Sequence, residues 1–208
     1  MRLPIVRPFG TLVLMLAAGV ASAAAQQATA PPPQRPNVGP PLTITIPAFS
    51  DGGTIPVKHS CAATTPPPGG RLNVSLGVSP LVQWSNVPKG TASFVLILHD
   101  EDAHIAKAFE DIPHWVVFNI PGDATSLPEG VPPDVASPNG TMQGNNMMGR
   151  AAYQGSCALP GPAHHYTFEL YALDIKLDLP QGAGRSDIQK AMDGHVLSGA
   201  VYIGLFHR

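Results

Sequence analysis

The sequence predicts a mainly β domain, a sandwich or a barrel, because it combines short strand patterns, many loop-forming residues and a single helix signal. The 208 residues include 21 glycines and 24 prolines, which interrupt regular structure. Strand patterns occur at 42–46, 82–84, 93–98, 114–121, 166–173 and 196–206. Short strands separated by long glycine- and proline-rich loops are typical of these two architectures.

Each strand pattern has its own signature. Residues 42–46 alternate apolar and β-branched side chains, and Pro47 follows them. The continuous apolar run at 93–98 indicates a central strand that is buried on both faces. A second apolar run, 114–121, ends in a proline, and 166–173 alternates in the manner of a strand with one buried face.

The helix signal lies near the C-terminus, at 186–192. Ser186 is the predicted N-cap, and Gln189, three residues later, is its capping-box partner. Gly194 is placed to end the helix. The long segment 123–148 carries no comparable pattern and is predicted to be mostly loop.

The first 25 residues have the pattern of a secretory signal peptide. Arg2 and Arg7 provide a positive start, residues 9–21 form an uncharged apolar run, and small residues follow up to Ala25. A membrane anchor is the alternative, but a spanning helix needs roughly 20 apolar residues and this run is shorter. We therefore predict a signal peptide at 1–25, a periplasmic or secreted protein, and no stable membrane span.

The remaining chain divides into a spacer and one domain. Residues 26–41 are rich in proline, which lacks the amide donor that helices and central strands require, so an extended spacer is predicted. Residues 42–208 suit one domain with an adequate core. The formal net charge of −2 gives no electrostatic footprint for nucleic acid.

Two cysteines, Cys61 and Cys157, lie in the predicted domain. An even count in an oxidising compartment favours a disulfide between them. The alternative is a pair of unrelated buried thiols.

Polar side chains cluster at the ends of three predicted strands. They are found at 99–104, at His114 and at 164–166. Polar groups on a rigid scaffold at the edge of a sheet are placed as binding residues usually are. Because side chains alternate along a strand, His99 and His165 are expected to face away from their neighbours Asp100 and His164.

These segments carry an ordered set of motifs. Residues 100–103 read D-E-D-A, residues 114–121 read H-W-V-V-F-N-I-P, residues 155–166 read G-S-C-A-L-P-G-P-A-H-H-Y, and 169–174 read E-L-Y-A-L-D. The set resembles the phosphatidylethanolamine-binding family, also called Raf-kinase-inhibitor-like proteins. The bacterial members carry D-P-D-A-P, H-W-V-V-x-N-I-P and G-P-C-x-P-x-G-x-x-H-x-Y. This sequence differs at Glu101 and His104, where the family has prolines.

The resemblance implies a Greek-key β-sandwich of two antiparallel sheets with one or two short helices. It also implies a pocket for a small anion, such as the phosphate of a phospholipid head group or a nucleotide. Carried over residue by residue, the pocket consists of Asp100, Asp102, His114, His164 and Tyr166. The family is associated with modulation of protein partners, but no residue here identifies such a partner.

The chemistry of these residue types suits an anion. Imidazolium nitrogens and a phenol hydroxyl donate to phosphate oxygens, and charge-assisted hydrogen bonds are about twice as strong as neutral ones. An aspartate beside two histidines is expected to raise their affinity for protons. A carboxylate facing an anion would repel it unless it orients a histidine or binds an amine.

Three functions are therefore weighed. The first is an exported binding protein for a small anionic ligand, without enzymatic activity or a cofactor. The second is a metal site built from two histidines and a carboxylate of the cluster, to which His99, Asp102 and His104 could add. The third is a hydrolase with Ser156 near His164, but no nucleophile elbow of the G-x-S-x-G type surrounds that serine.

Overall fold

The computed structural model describes residues 39–63, 77–104, 107–134 and 137–208. The predicted signal peptide and most of the predicted spacer lie outside these residues. Within them are nine strands: β1 Thr43–Thr45, β2 Gly53–Thr54, β3 Val82–Ser85, β4 Ser93–Asp100, β5 Ile112–Pro121, β6 Ser126–Leu127, β7 Met142–Gly144, β8 His164–Leu173 and β9 Val196–Phe206. A 3₁₀ helix, Val57–His59, and one α-helix, α1 (Arg185–Met192), complete them. No described helix is long and apolar enough to cross a membrane.

The strands form two sheets, with orders β1-β3-β6 and β2-β9-β8-β4-β5-β7. In the larger sheet β4, β5 and β7 lie side by side, and β8 returns to the other edge of β4. That arrangement is a Greek key, so the predicted fold class is confirmed. One pairing departs from the expected antiparallel pattern, because the two-residue strand β2 runs parallel to β9.

Strand β4 is buried along its whole length because both faces of the larger sheet are covered. Phe94, Leu96 and Leu98 belong to the core between the two sheets. Val95 and Ile97 point the other way, into a second core that includes residues of α1. Covering on both faces explains why the sequence of this strand is a continuous apolar run rather than an alternating one.

The predicted strands are all present, and the ends of two of them determine where candidate site residues lie. β4 continues to Asp100 and β8 begins at His164, so both candidate site residues lie within the sheet. The segment predicted to be mostly loop contains the short strands β6 and β7.

The predicted helix start is wrong by two residues. The N-cap is Gly184, whose backbone is extended and whose carbonyl accepts the first helical bond from the Ile188 amide at 3.1 Å. Ser186 therefore lies inside the helix and makes no capping bond. The Arg185 side chain, in the first turn of the helix, pairs with the carboxylate of Asp111 and donates to its carbonyl.

The disulfide between Cys61 and Cys157 is confirmed, with Cα atoms 5.2 Å apart. It joins the segment after the 3₁₀ helix to the segment before β8. The adjacent backbone supports the same contact, because Ser60 and Ser156 form a parallel bridge and the Cys61 amide donates to the Ser156 carbonyl at 3.0 Å. The bond closes a large loop, since the two cysteines are 96 residues apart.

We predict that replacing both cysteines with alanine lowers the free energy of unfolding by up to about 4.7 kcal/mol, the chain-entropy value for a closed loop of about 100 residues. Urea denaturation of both proteins measures the difference. Mass spectrometry of protein purified without a reductant, after alkylation, should show no modified cysteine. Two alkylated thiols in that material would contradict the prediction.

Candidate functional site

The larger sheet brings the ends of β4 and β8 together. Asp100 is the register partner of Tyr166, so their side chains share the face that points between the two sheets. His164 lies two residues before Tyr166 and therefore on the same face. The ring planes of His164 and Tyr166 are 21° apart, and the ring centroids are separated by 6.5 Å.

A β-bulge turns His114 toward the same place. Leu98 pairs with Trp115 and His99 pairs with Pro113, so His114 is the extra residue in β5. Simple alternation would put His114 on the face opposite Trp115, but a bulge re-aims a side chain. The His114 ring instead packs nearly perpendicular to the Tyr166 ring, with centroids 5.2 Å apart.

The centre of the cluster is the carboxylate of Asp100, which is only 3% exposed. His164 Nδ1 donates to it, at 2.9 Å from Oδ2 and 3.1 Å from Oδ1. The Asp102 amide donates to Oδ1 at 3.1 Å. The Tyr166 phenol lies beside this carboxylate and interacts with it electrostatically. A buried charge is tolerated only when it is paired and hydrogen-bonded, and these donors meet that requirement.

Tyr166 links the carboxylate to the disulfide. Its hydroxyl accepts a bond from the Cys157 amide at 3.0 Å, so its own hydrogen is free to be donated to Asp100. Burial, together with the nearby Asp100 charge, raises the pKa of Tyr166 well above its ordinary value. The phenol therefore stays neutral and acts as a donor.

His114 does not behave as the sequence suggested. It is 2% exposed, and its Nδ1 donates to the Gln154 carbonyl at 3.0 Å. We expected the neighbouring aspartate to raise its proton affinity, but burial lowers the pKa of His114 below its ordinary value and outweighs the Asp100 charge. Near neutral pH the ring is therefore uncharged, and Nε2 is an acceptor.

Asp102 is not brought into the buried cluster. Its carboxylate accepts bonds from the His165 amide at 2.6 Å and from His165 Nδ1 at 2.8 Å. Those bonds, the backbone bond first, hold the pKa of Asp102 below its ordinary value although burial opposes this. Only its backbone amide reaches Asp100, so a ligand contact by its side chain stays a prediction.

Glu101 and His104, which stand where the family has prolines, form their contacts outside the buried cluster. Glu101 accepts a bond from the Thr167 hydroxyl at 2.7 Å. His104 is exposed, and its Nδ1 lies 3.4 Å from the Glu110 carbonyl. His99 contacts Asp111 rather than the cluster, as the alternation predicted.

Comparison with known proteins shows the family of this chain. The family model described as phosphatidylethanolamine-binding protein matches residues 45–207 of the chain. The chain belongs to the phosphatidylethanolamine-binding protein family.

Relatives support the assignment across most of the chain. A UPF0098 protein of Methanothermobacter thermautotrophicus is 42% identical over 161 residues, covering 77% of this chain and 95% of the relative. A UPF0098 protein of Aquifex aeolicus is 37% identical over 163 residues, covering 77% and 85%.

Two solved structures share the fold. The putative phosphatidylethanolamine-binding protein homologue of Chlamydia trachomatis is 31% identical with a TM-score of 0.67, covering 81% of this chain and 98% of that protein. YbcL of Escherichia coli, described as a member of the mammalian family, is 25% identical with a TM-score of 0.67, covering 80% and 98%.

The surroundings of Ser156 give the hydrolase hypothesis no support. Ser156 is fully buried, and its hydroxyl has no hydrogen-bond partner in the described part of the chain. A nucleophile needs a base within about 2.6–3.2 Å, and no such bond joins this serine to His164. As for a metal, residues 39–63, 77–104, 107–134 and 137–208 contain no group of three or more potential ligands arranged around one ion.

Sequence reasoning missed one contributor to the site of this phosphatidylethanolamine-binding family protein. The Gln154 backbone carbonyl accepts a hydrogen bond from His114 Nδ1 and so fixes the tautomer of that ring. The Gln154 backbone amide donates to the His114 carbonyl at 2.8 Å. The only signal was position, because Gln154 immediately precedes the 155–166 motif. Backbone groups carry no residue-type pattern, so the sequence could not reveal this contact.

We predict that the free energy of unfolding falls as the pH drops below about 6.5, the ordinary histidine pKa in an unfolded chain. Burial lowers the pKa of both His59 and His114, so the unfolded chain takes up protons that the folded rings refuse. The loss is at most about 1.4 kcal/mol per pH unit for each ring. Urea denaturation at several pH values between 7.5 and 5 measures it.

The matched variants are His114→Gln and His207→Gln, since His207 is exposed. The first should reduce the pH dependence, whereas the second should leave it unchanged. Equal slopes in both variants would show that the buried ring is not the proton-linked group.

Proposed function

We propose that this family member is exported and binds a small anion that carries a phosphate group, at the cluster of Asp100, His114, His164 and Tyr166. The proposal describes a binding protein rather than an enzyme. The family resemblance also implies a protein partner, which no feature of the cluster identifies.

The observation that carries the proposal is the saturation of the Asp100 carboxylate. A free carboxylate in a pocket would repel phosphate. Here its oxygens accept bonds from His164 and from the Asp102 amide, and the Tyr166 phenol lies beside them. Asp100 is therefore a positioning residue that orients donors, which answers the objection that an acid should not lie in an anion pocket.

His164 is the donor best placed to meet a ligand. Its side chain is 25% exposed, whereas that of Asp100 is 4% exposed. With Nδ1 held by the carboxylate, Nε2 is the ring nitrogen left for a ligand. Its hydrogen bond to a phosphate oxygen is charge-assisted and therefore strong.

His114 imposes a condition on the ligand. Its neutral ring has Nδ1 committed to the Gln154 carbonyl, so Nε2 is an acceptor. A phosphate that contacts this ring must carry a proton or bring one to the imidazole. Monoanionic phosphate, which has hydroxyl hydrogens, suits this neighbour better than the dianion.

Two features support export. The first 25 residues have the charge, apolar and small-residue pattern of a signal peptide. The disulfide between Cys61 and Cys157 is of the kind that persists in oxidising compartments. A periplasmic or secreted location is consistent with both.

We predict that His164→Ala weakens binding of phosphoethanolamine by about 1.5–3 kcal/mol, the scale for a hydrogen bond to a charged group. That is a loss of roughly ten- to a hundredfold in affinity. Isothermal titration calorimetry with phosphoethanolamine and with inorganic phosphate measures it, and comparable losses for both would assign the contact to the phosphate.

His165→Ala is the matched control, because His165 is the adjacent residue and contacts Asp102 instead. It should bind nearly as tightly as the wild type. Equal affinities for the wild type and His164→Ala would contradict the proposed site, as would equal losses in the two variants.

A further inference from the structure

Arg208 lies close to the candidate anion site, just beyond the end of β9. Phe206, the last residue of β9, is the register partner of His164. Arg208 follows Phe206 by two residues, the spacing at which side chains of an extended chain share a face. Its Nε donates to the carbonyl of Ala158 at 3.2 Å, so the side chain reaches the segment that precedes β8.

That segment is in direct contact with the cluster. The amide of Cys157, the residue before Ala158, donates to the Tyr166 hydroxyl at 3.0 Å. Ala158 is buried, and the disulfide between Cys157 and Cys61 ties down the backbone beside it. The guanidinium of Arg208 is therefore anchored one residue away from a hydrogen-bond partner of Tyr166.

The guanidinium keeps its charge and most of its donors available for a ligand. Arg150 is paired with the carboxylate of Asp134. Arg185 is paired in the same way with Asp111. Arg208 instead bonds a neutral carbonyl through Nε, and it forms no ion pair with an acidic residue in the described part of the chain. The N–H groups of its two terminal nitrogens are thus left for an anion.

A permanent cation is what the rest of the cluster lacks. The His114 ring is buried and uncharged near neutral pH, and His164 is charged only when it is protonated. Arginine is always protonated in proteins. Its planar fork also matches two oxygens of a phosphate, which makes the interaction bidentate.

The donors and acceptors of the cluster together favour one form of phosphate. The fork of Arg208 takes two oxygens, and Nε2 of His164 takes another. Nε2 of His114 is an acceptor, so it requires a hydroxyl hydrogen on the phosphate. The monoanion of a phosphate monoester has three oxygens outside the ester bond, one of which carries a hydrogen. A phosphate diester has two such oxygens and no hydrogen on either.

We propose that Arg208 is a further ligand-binding residue of the anion site, and that it makes the site select a phosphate monoester over a diester. This inference rests on the proposed function, because it concerns the same cluster. It narrows the ligand class to small monoesters, of which phosphoethanolamine is one.

The test is calorimetry at neutral pH with phosphoethanolamine, a monoester, and glycerophosphoethanolamine, a diester that carries the same amine. The wild type should bind the monoester about tenfold or more tightly than the diester. Arg208→Gln removes the charge and the fork, so it should weaken monoester binding about tenfold or more and diester binding less. Arg208→Lys restores the charge without the fork and should recover only part of the loss.

Arg150→Gln is the matched control, because it removes the same charge from an arginine that Asp134 already engages. It should bind both esters as the wild type does. Equal proportional losses for the two esters in Arg208→Gln would show that Arg208 only supports the backbone at Ala158, and would overturn the inference.

The remaining outcomes separate this inference from the proposed function. If His164→Ala loses phosphoethanolamine binding while Arg208→Gln binds like the wild type, the inference is wrong and the proposed site stands. Equal wild-type affinities for the two esters would overturn the selectivity for monoesters. Absence of phosphoethanolamine binding by the wild type would overturn the proposed function and this inference with it.

Discussion

The structure depends on the burial of one charged group, the Asp100 carboxylate. Removing a carboxylate from water is costly unless donors surround it. The donors here come from the turn after β4 and from the first residue of β8, and the Tyr166 phenol lies beside the carboxylate. The same carboxylate therefore fixes the meeting point of the two strands and sets the tautomer of His164.

The disulfide extends this arrangement to a distant part of the chain. Cys157 is covalently joined to Cys61, and its amide donates to the hydroxyl of Tyr166. The hydroxyl in turn interacts electrostatically with Asp100. The disulfide therefore lies next to the candidate anion site and helps to hold Tyr166 in place.

Much of the fold followed from sequence pattern, because burial on one or both faces leaves a periodic record in strands such as 93–98. Motif resemblance selected the candidate site residues, although alternation alone would have put His114 on the face opposite Trp115. The bulge that corrects this arises from pairing between β4 and β5, which is not visible in either segment alone. The lowered pKa of His114 likewise depends on burial by the tertiary structure.

The start of helix α1 and the contacts of Asp102 show a second limit of prediction from sequence. Ser186 has the right residue type for a cap, but contact between Arg185 and Asp111 accompanies a start at Gly184. Asp102 has the right spacing from Asp100 to share its face, yet the chain turns and its carboxylate binds His165. Both cases involve contacts between segments far apart in sequence, which override a local pattern.

The central claim is that Asp100 orients donors for an anion rather than repelling it, and Asp100→Asn tests that claim most directly. The substitution keeps the size of the side chain and removes its charge. If the account is correct, calorimetry shows weaker phosphate binding than in the wild type, because the amide holds His164 and Tyr166 less well. If the carboxylate mainly repels the anion, the variant binds phosphate more tightly, and that result would contradict the account.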